Sequence, residues 1–408
     1  MSAERHHLTV EEAQRIVLEH VSPGRTISVP LNESPGYTLA EAVRTDVDYP
    51  PFDRSVMDGY AVRASDVQSA PVSLRLVGQV AAGAAADRPV APGEAVQINT
   101  GAPIPPGADT VIRREDTQTG EDGSVVRVLA VAKPRQHIAY QGEYARRGQV
   151  ALEAGRRLGP AQIGVAGSAG AFRVSVYDRP RVAVLSTGDE LVEIDRVPTG
   201  SQIRNSNSAL LMALVEQAHG RGQDLGNVRD DRESIARSVQ RGLESDVLCT
   251  TGGVSMGLFD LVPEVLEACG VRILFHKMRT KPGKPTLFGV GDRGTLVFGL
   301  PGNPISAFVG FWLLVRPALA AFQGRPGELP MPIAARLHGR LKAAGDRQNY
   351  IPAKLQLAGG ELTAERVPWG GSGDPFGMAL GDAMIVRSMG APVGVDGDRV
   401  DVLLLGPL

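Results

Sequence analysis

Apolar and polar positions change period several times along this chain. Residues 8–20, LTVEEAQRIVLEH, repeat apolar positions at helical spacing. Thr9, with Glu12 three residues on, carries a capping-box signature, so an amphipathic helix starts there. TLAEAV, residues 38–43, predicts a second short helical piece. From about Val56 to Val131 the period drops toward two. Short β-rich runs (SLRLVGQVAAG, AVQINTG, DTVIRRED, SVVRVLAVA) alternate there with Gly and Pro turns, which predicts a β-rich insert. Helical or mixed character returns near 140–177.

From Arg181 the rhythm is strand, helix, strand. VAVLS, DVLCTTGG and TLVFGLPGNP read as buried strands. SALLMALVEQA, LVPEVLEACG and ISAFVGFWLLVRPALAAF read as helices. This alternation predicts parallel β-α-β units with helices on both faces of one sheet. Ligands of such sheets bind beyond the carboxyl ends of the strands. The loops after Val184, Leu248 and Phe298 are therefore the candidates. Beyond about Gly324 the period returns to two (IAARLHGRL, IPAKLQL, DAMIVRS, RVDVLLL), which predicts a C-terminal all-β domain.

Composition narrows the function classes. With 408 residues the chain exceeds one core, and about 150 residues per domain suggests two to four. The net charge of −2 supplies no field that would recruit nucleic acid or an anionic membrane, so any anion site is local. Aromatics at 5% leave few stacking platforms for single strands. Neither a nucleic acid nor a membrane is expected as a partner. The two cysteines, Cys249 and Cys269, lie in apolar runs without a CxxC and read as reduced thiols. Met1 to Arg15 lacks an apolar signal region, and the apolar stretch Ile305 to Phe322 contains Ser306, Arg316 and Pro317. The expected location is the cytoplasm.

The three strand-end loops share one chemistry. They are Ser186-Thr-Gly-Asp-Glu190, Thr250-Thr-Gly-Gly-Val-Ser-Met-Gly257 with Asp260 just after, and Gly299-Leu-Pro-Gly-Asn-Pro-Ile-Ser306. Glycines such as Gly252 and Gly253 let backbone N–H groups approach an anion, and a following helix N-terminus adds aligned donors. Lys281 and Lys284 supply full charge nearby. Glu190, Asp230 and Asp260 would repel an anion unless Mg²⁺ lay between them. The pattern predicts a phosphate or oxyanion site with a hard metal. Plainer readings stand beside it. Asp230-Asp231 before Arg-Glu-Ser-Ile is what a helix N-cap looks like, and Lys277, Lys281 and Lys284 also suit a solvated face. Asp58-Gly59 and Asn99-Thr-Gly-Ala-Pro103 are turns by default. Recurrence of one loop type within one unit favours the joint reading.

Six stretches in order, PPFDRSVMDGYAVR, INTGAPIPPGADTVI, LSTGDEL, TTGGVSMGLFD, KPGKP and GLPGNPISA, resemble the molybdopterin molybdenumtransferase (MoeA) family, relatives of the gephyrin E domain. The resemblance covers nearly the whole chain. It implies insertion of molybdate, as substrate, into adenylylated molybdopterin with release of AMP in a Mg²⁺-dependent step. It also implies a homodimer, whose site uses residues of both subunits, and contact with other molybdenum cofactor synthesis proteins.

The implied fold is multidomain α/β. An adenylyltransferase-like three-layer domain with a mostly parallel sheet spans 178–324. A β-rich insert spans 51–141, and a discontinuous mixed N-terminal domain spans 1–50 and 142–177. A C-terminal β-barrel-like domain spans 325–408. By motif, Asp58, Thr100, Glu190, Asp260, Lys277 and Lys281 match catalytic positions, with Glu190 and Asp260 toward the metal. Asp230, Gly252, Gly253, Ser255, Lys284, Pro301, Pro304, Ser306 and, more loosely, Arg347 match the substrate- and anion-binding loops. Where the family often carries an acidic pair after an Arg-Arg-Gly step, this chain has Gln149 and Val150. A molybdopterin adenylyltransferase and a non-catalytic dimeric scaffold are the alternatives. The first lacks a counterpart of the PPFD…MDGY insert, and the second has no need of Asp58, Glu190, Asp260 and Lys281.

Overall fold

The structure, a computed structural model, describes residues 7–85, 87–253 and 261–406. The chain packs as two compact units. One holds the described residues through Ile27, Gly36–Ala40 and those from Val176 onward; the other holds Ser28–Pro35 and Glu41–Ser175.

At the centre of the first unit is a six-stranded sheet. Its order is Arg221–Val228, Arg181–Thr187, Val247–Thr251, Leu296–Leu300, Leu287–Gly291, Val271–Phe275. The first four strands are parallel and the last two pair antiparallel, so the mostly parallel sheet predicted from the strand–helix alternation is present. Val247–Thr251 and Leu296–Leu300 are buried throughout, because helices cover both faces. Side chains alternate between two cores. Val182, Val184, Cys249 and Phe298 pack with the helix Ser206–Gln217 and the long helix from Pro304. Ala183, Leu185, Leu248 and Val297 pack with the helices Arg232–Gly242 and Val262–Ala268. Each fully buried aliphatic contributes roughly 1.5–3 kcal/mol, so this three-layer block is the rigid frame. Burial pushes the Cys249 thiol up to about 12, and both cysteines are free. The outer strand, Arg221–Val228, differs from its neighbours. Residues 221–224 are exposed, Gly226 holds φ +83°, and its register with Arg181–Thr187 slips between Val184 and Ser186.

The long helix runs from Pro304 to Phe322 and widens to a π turn over Phe311–Val315. Pro317 accounts for the widening. Proline lacks an N–H, and its ring would press on the carbonyl four residues back. This helix is long and apolar enough to cross a membrane, yet 89% of its apolar window is buried in the protein. The N-terminal helix Val10–Glu19 packs into the same core. Its capping box is complete: Thr9 Oγ1 accepts from Glu12 N at 3.2 Å, and Glu12 Oε2 accepts from Thr9 N at 2.8 Å.

Beyond the sheet the chain forms a closed barrel. Ile333–His338, Gln348–Ala358, Glu361–Arg366, Ala383–Arg387 and Arg399–Leu404 pair in a ring, because Gln348–Ala358 bonds to both Glu361–Arg366 and Ala383–Arg387. Small and branched residues fill it, including Ala335, Ala353, Ala383, Ile385 and Val402. A two-residue strand of the α/β block, Thr280–Lys281, pairs in parallel with Gln348–Asn349 of the barrel.

The second unit contains a six-stranded sheet, Thr110–Arg113, Gly59–Val62, Glu94–Ile98, Val72–Val80, Val125–Val128, Thr117–Thr119, mostly antiparallel. Tyr60 and Val62 pack on one face and Ala61 on the other, the alternation expected of its period-two pattern. Gly59 is required by close approach, since a Cβ there would lie 1.9 Å from Ile112 O.

TLAEAV is not helical, contrary to the expectation from sequence. Leu39 bridges Val176, and Val43 pairs with Leu152. Six residues cannot repay helix nucleation, and strand partners satisfy this backbone instead.

Thr9→Ala removes one half of the capping box, worth about 1 kcal/mol. The expected outcome is roughly fivefold faster hydrogen exchange confined to the Val10–Glu19 amides. Unchanged exchange there would mean that packing alone holds the helix end.

Candidate active site

The carboxyl ends of the parallel strands form the first part of the site. The loop after Arg181–Thr187 leads toward the outer strand, whereas the loop after Val247–Thr251 leads to the opposite side of the sheet. Adjacent loops leaving in opposite directions open a crevice. Glu190, Asp230, Gly252 and Gly253 all lie at these strand ends. Gly252 holds φ +92°, and a Cβ there would lie 2.3 Å from Thr187 O, so only glycine fits. Gly302 of the third loop packs against Gly252.

Asn207 joins two of the loops. Its Nδ2 donates to Thr251 Oγ1 at 2.9 Å and to Gly302 O at 2.8 Å. Ser186 Oγ bonds Asn205 Oδ1 at 3.0 Å, and Asn205 caps the Ser206–Gln217 helix. Sequence reasoning missed both asparagines. Their signal is the Arg-Asn-Ser-Asn-Ser run, a cap residue followed by a second amide that the apolar helix carries into the interior.

Carboxylates crowd beside this crevice. Asp231, not Asp230, caps the helix Arg232–Gly242, accepting from Ser234 N at 2.8 Å. Asp230 is free of that duty. Its carboxyl is held above the ordinary range by burial and then by the charges of Asp189 and Glu190. The candidate residues Ser255 and Asp260 lie outside the described residues.

Next to the crevice is a cleft of about 900 Å³ between the α/β block and the barrel. Lys281, Lys284, Pro301 and Ser306 line one wall, as does Asn303. Arg340, Lys342, Arg347 and Arg366 line the barrel side, with Trp369. Among the described residues, six cations and no carboxylate line this cleft. The long helix starts here at Pro304, the first helical residue after the cap Asn303, with Ser306 in its first turn. Its end is fixed from the barrel side: Ser372 O accepts from Ile305 N at 3.1 Å, and Ser372 Oγ from Asn303 Nδ2 at 3.0 Å. Full charges, a helix N-terminus and a turn with Gly283 at φ +99° are groups that favour a negatively charged neighbour. Lys277 is half-buried and lies off this wall, with its carbonyl accepting from Leu8 N at 3.3 Å. Lys284, Lys277 and Arg279 also help hold the His7 imidazole below its ordinary range, after the larger effect of desolvation. Arg340, Lys342 and Arg366 were not legible as site residues, because they stand on separate segments that only barrel closure brings to one rim.

Asp58 and Thr100 meet in the second unit. Asp58 Oδ1 accepts from Thr100 N at 2.7 Å and from Thr100 Oγ1 at 3.0 Å. These bonds, and more weakly the charge of Arg114, hold the Asp58 carboxyl below its ordinary range. Asp58 is thus a fixed anionic acceptor rather than a proton donor at neutral pH.

Three family models match the chain: the MoeA N-terminal region (domains I and II) over residues 8–170, a probable molybdopterin binding domain over 183–321, and the MoeA C-terminal region (domain IV) over 334–405. A molybdopterin molybdenumtransferase of Staphylococcus aureus strain Mu50 is 34% identical over 98% of this chain and 96% of its own length. Its namesake from Staphylococcus epidermidis is 34% identical over 99% and 97%. Among solved structures, a molybdopterin biosynthesis MoeA protein from Pyrococcus horikoshii superposes with a TM-score of 0.85 at 30% identity, covering 98% of this chain and 100% of that one.

Replacing Lys281 and Lys284 together by Ala is expected to weaken binding of a tetrahedral oxyanion such as sulfate at least tenfold at low ionic strength. The salt dependence of that binding flattens as well. Titration calorimetry reads both, and unaltered affinity would remove the lysines from the site.

Proposed function

We infer the reaction from the family to which this chain belongs, the MoeA proteins: it is an enzyme that transfers molybdenum to molybdopterin. The observation that carries this reading is the cleft lined, among the described residues, by six cations and no carboxylate at a helix N-terminus, in a chain alike over 98% of its length to a named molybdenumtransferase. Molybdate is the substrate anion, and adenylylated molybdopterin is the acceptor that releases AMP.

Each group has a task that its surroundings suit. Lys281 and Lys284 hold molybdate oxygens, with Ser306 and the first helical turn donating to them. Arg347 adds charge from the barrel. Gly252 and Gly253 let the backbone approach the substrate's phosphates. Asp58, fixed by Thr100, orients a donor group of the substrate. Preorganised charge of this kind acts by stabilising the transition state where negative charge builds, at no cost in reorganisation.

Mg²⁺ fits the acidic edge. The Asp230 carboxyl, held above its ordinary range by burial and then by the charges of Asp189 and Glu190, belongs to a crowded acidic group that a hard cation would relieve. Among the described residues no three His, Cys, Asp or Glu side chains form a ready cage. Mg²⁺ would therefore rest on Glu190 and Asp260 together with substrate oxygens. Bound there it would neutralise phosphate charge as the adenylyl bond breaks. We place the enzyme in the cytoplasm as a homodimer, in contact with other proteins of molybdenum cofactor synthesis. The burial of the one long apolar helix among the described residues argues against a membrane span there.

With purified adenylylated molybdopterin, AMP release is expected to require both molybdate and Mg²⁺. It falls at least 100-fold in Asp260→Ala and Glu190→Ala, and EDTA abolishes it reversibly. Release without molybdate, or none from the wild type, sinks the reading. Sedimentation is expected to give twice the 43.1 kDa chain mass, and a monomer mass at micromolar concentration would refute the dimer.

A further inference from the structure

The barrel contains one side chain that its own stability does not explain. Its interior is apolar along Ala383, Ile385, Ala353 and Leu355. At one end the same inward-facing positions of the paired strands hold Asn349 and Arg387 instead, and these two are direct cross-strand partners. Arg387 is only 9% exposed. A guanidinium keeps its charge in a protein, so this is a buried cation. Its Nη2 donates to Pro392 O, while its Nε has no partner. Among the described residues no carboxylate is paired with it. Asn349 is in a similar state, with a buried Oδ1 that nothing satisfies.

A buried, uncompensated charge opposes folding, and replacing it with an apolar side chain of similar size is often neutral or stabilising. Another requirement must keep it there, and its position shows which. Asn349 lines the cation-rich cleft, as do Leu341 and Val393. Leu341 bridges Gly394, and a Cβ on Gly394 would lie 3.5 Å from Arg387 Nη1. The guanidinium therefore lies directly behind the cleft floor. Asn349 is also the strand partner of Lys281. A row of three adjoining backbone positions, Lys281, Asn349 and Arg387, thus runs from the lysine turn into the barrel end.

We propose that Arg387 is a positioning and affinity residue for the oxyanion, acting from beneath the cleft with Asn349 as the donor that faces the ligand. Away from water its charge is weakly screened, so it attracts a bound dianion more strongly than the exposed rim cations do. Among the described residues no carboxylate of the protein neutralises it. The ligand completes its charge balance. This inference rests on the cleft being the oxyanion site.

The test is titration calorimetry of molybdate into the full chain, with melting temperatures, for wild type, Arg387→Leu, Arg387→Lys and Lys281→Ala. Arg387→Leu is expected to melt at or above the wild-type temperature while binding molybdate about tenfold more weakly. Arg387→Lys recovers most of the affinity, and wild-type binding persists to higher salt than that of Arg387→Leu. A purely structural arginine would behave in the opposite way, with a lower melting temperature and unchanged affinity in Arg387→Leu; that result overturns the proposal while Lys281→Ala still loses binding. Unchanged affinity in Lys281→Ala as well overturns the cleft reading itself. If Arg387→Leu does not fold, the structural role is established and the proposal fails, unless folded Arg387→Gln binds molybdate as weakly as expected for Arg387→Leu.

Discussion

The candidate site depends on a two-residue strand pairing. Thr280–Lys281 leaves the α/β block and pairs with Gln348–Asn349 of the barrel. Those few backbone hydrogen bonds set the lysine turn opposite Arg340, Lys342, Arg347 and Arg366. Like charges so placed repel one another, and among the described residues only Asp346, 3.9 Å from Arg347, offsets any of them. The frame must therefore hold them in place. It can, because the sheet behind the turn is buried on both faces and the barrel is closed on itself. A bound anion would attract every one of those cations and so offset their mutual repulsion.

The chain is nearly neutral as a whole, yet its charges are sorted. Basic groups gather in the cleft, while Asp189, Glu190 and Asp230 gather at the neighbouring strand ends. The loop carrying Pro301, Gly302 and Asn303 separates the two. It touches Gly252 on one side and lines the cleft on the other. Such sorting sets basic and acidic groups side by side in one small region. A net-charge argument cannot detect it, because the two groups cancel in the sum.

Much of this was legible in the sequence where local chemistry dictates local structure. Thr9 and Glu12 announced a helix start, and the continuous apolar runs announced a parallel sheet. The glycine loops announced their own positions at strand ends. What stayed hidden depends on pairing between distant segments. No local pattern reveals that Gln348–Ala358 closes a barrel with Ala383–Arg387, so of the basic rim only Arg347 was legible, and the buried Arg387 was invisible. Lys277 looked equivalent to Lys281, but it lies in the link between Val271–Phe275 and Thr280–Lys281 and is not on the cleft wall. TLAEAV has helical composition, and its neighbours overrode that preference by offering strand partners. Asp230 and Asp231 are adjacent and chemically alike, and only the backbone path assigned the cap to Asp231.

The outer strand Arg221–Val228 has a consequence at the scale of many molecules. A parallel sheet ending in a long, flat, apolar edge is a template for the next chain, and repetition of that contact gives a fibre. Here the edge carries Arg221, Gln223 and Asp224, a glycine at φ +83° and a slipped register. The bulge twists the unpaired amides out of line, and the charges would have to be stripped of water before a second strand could join. The block that holds the chain's two large apolar cores is thus guarded at this edge against the pairing of a second strand.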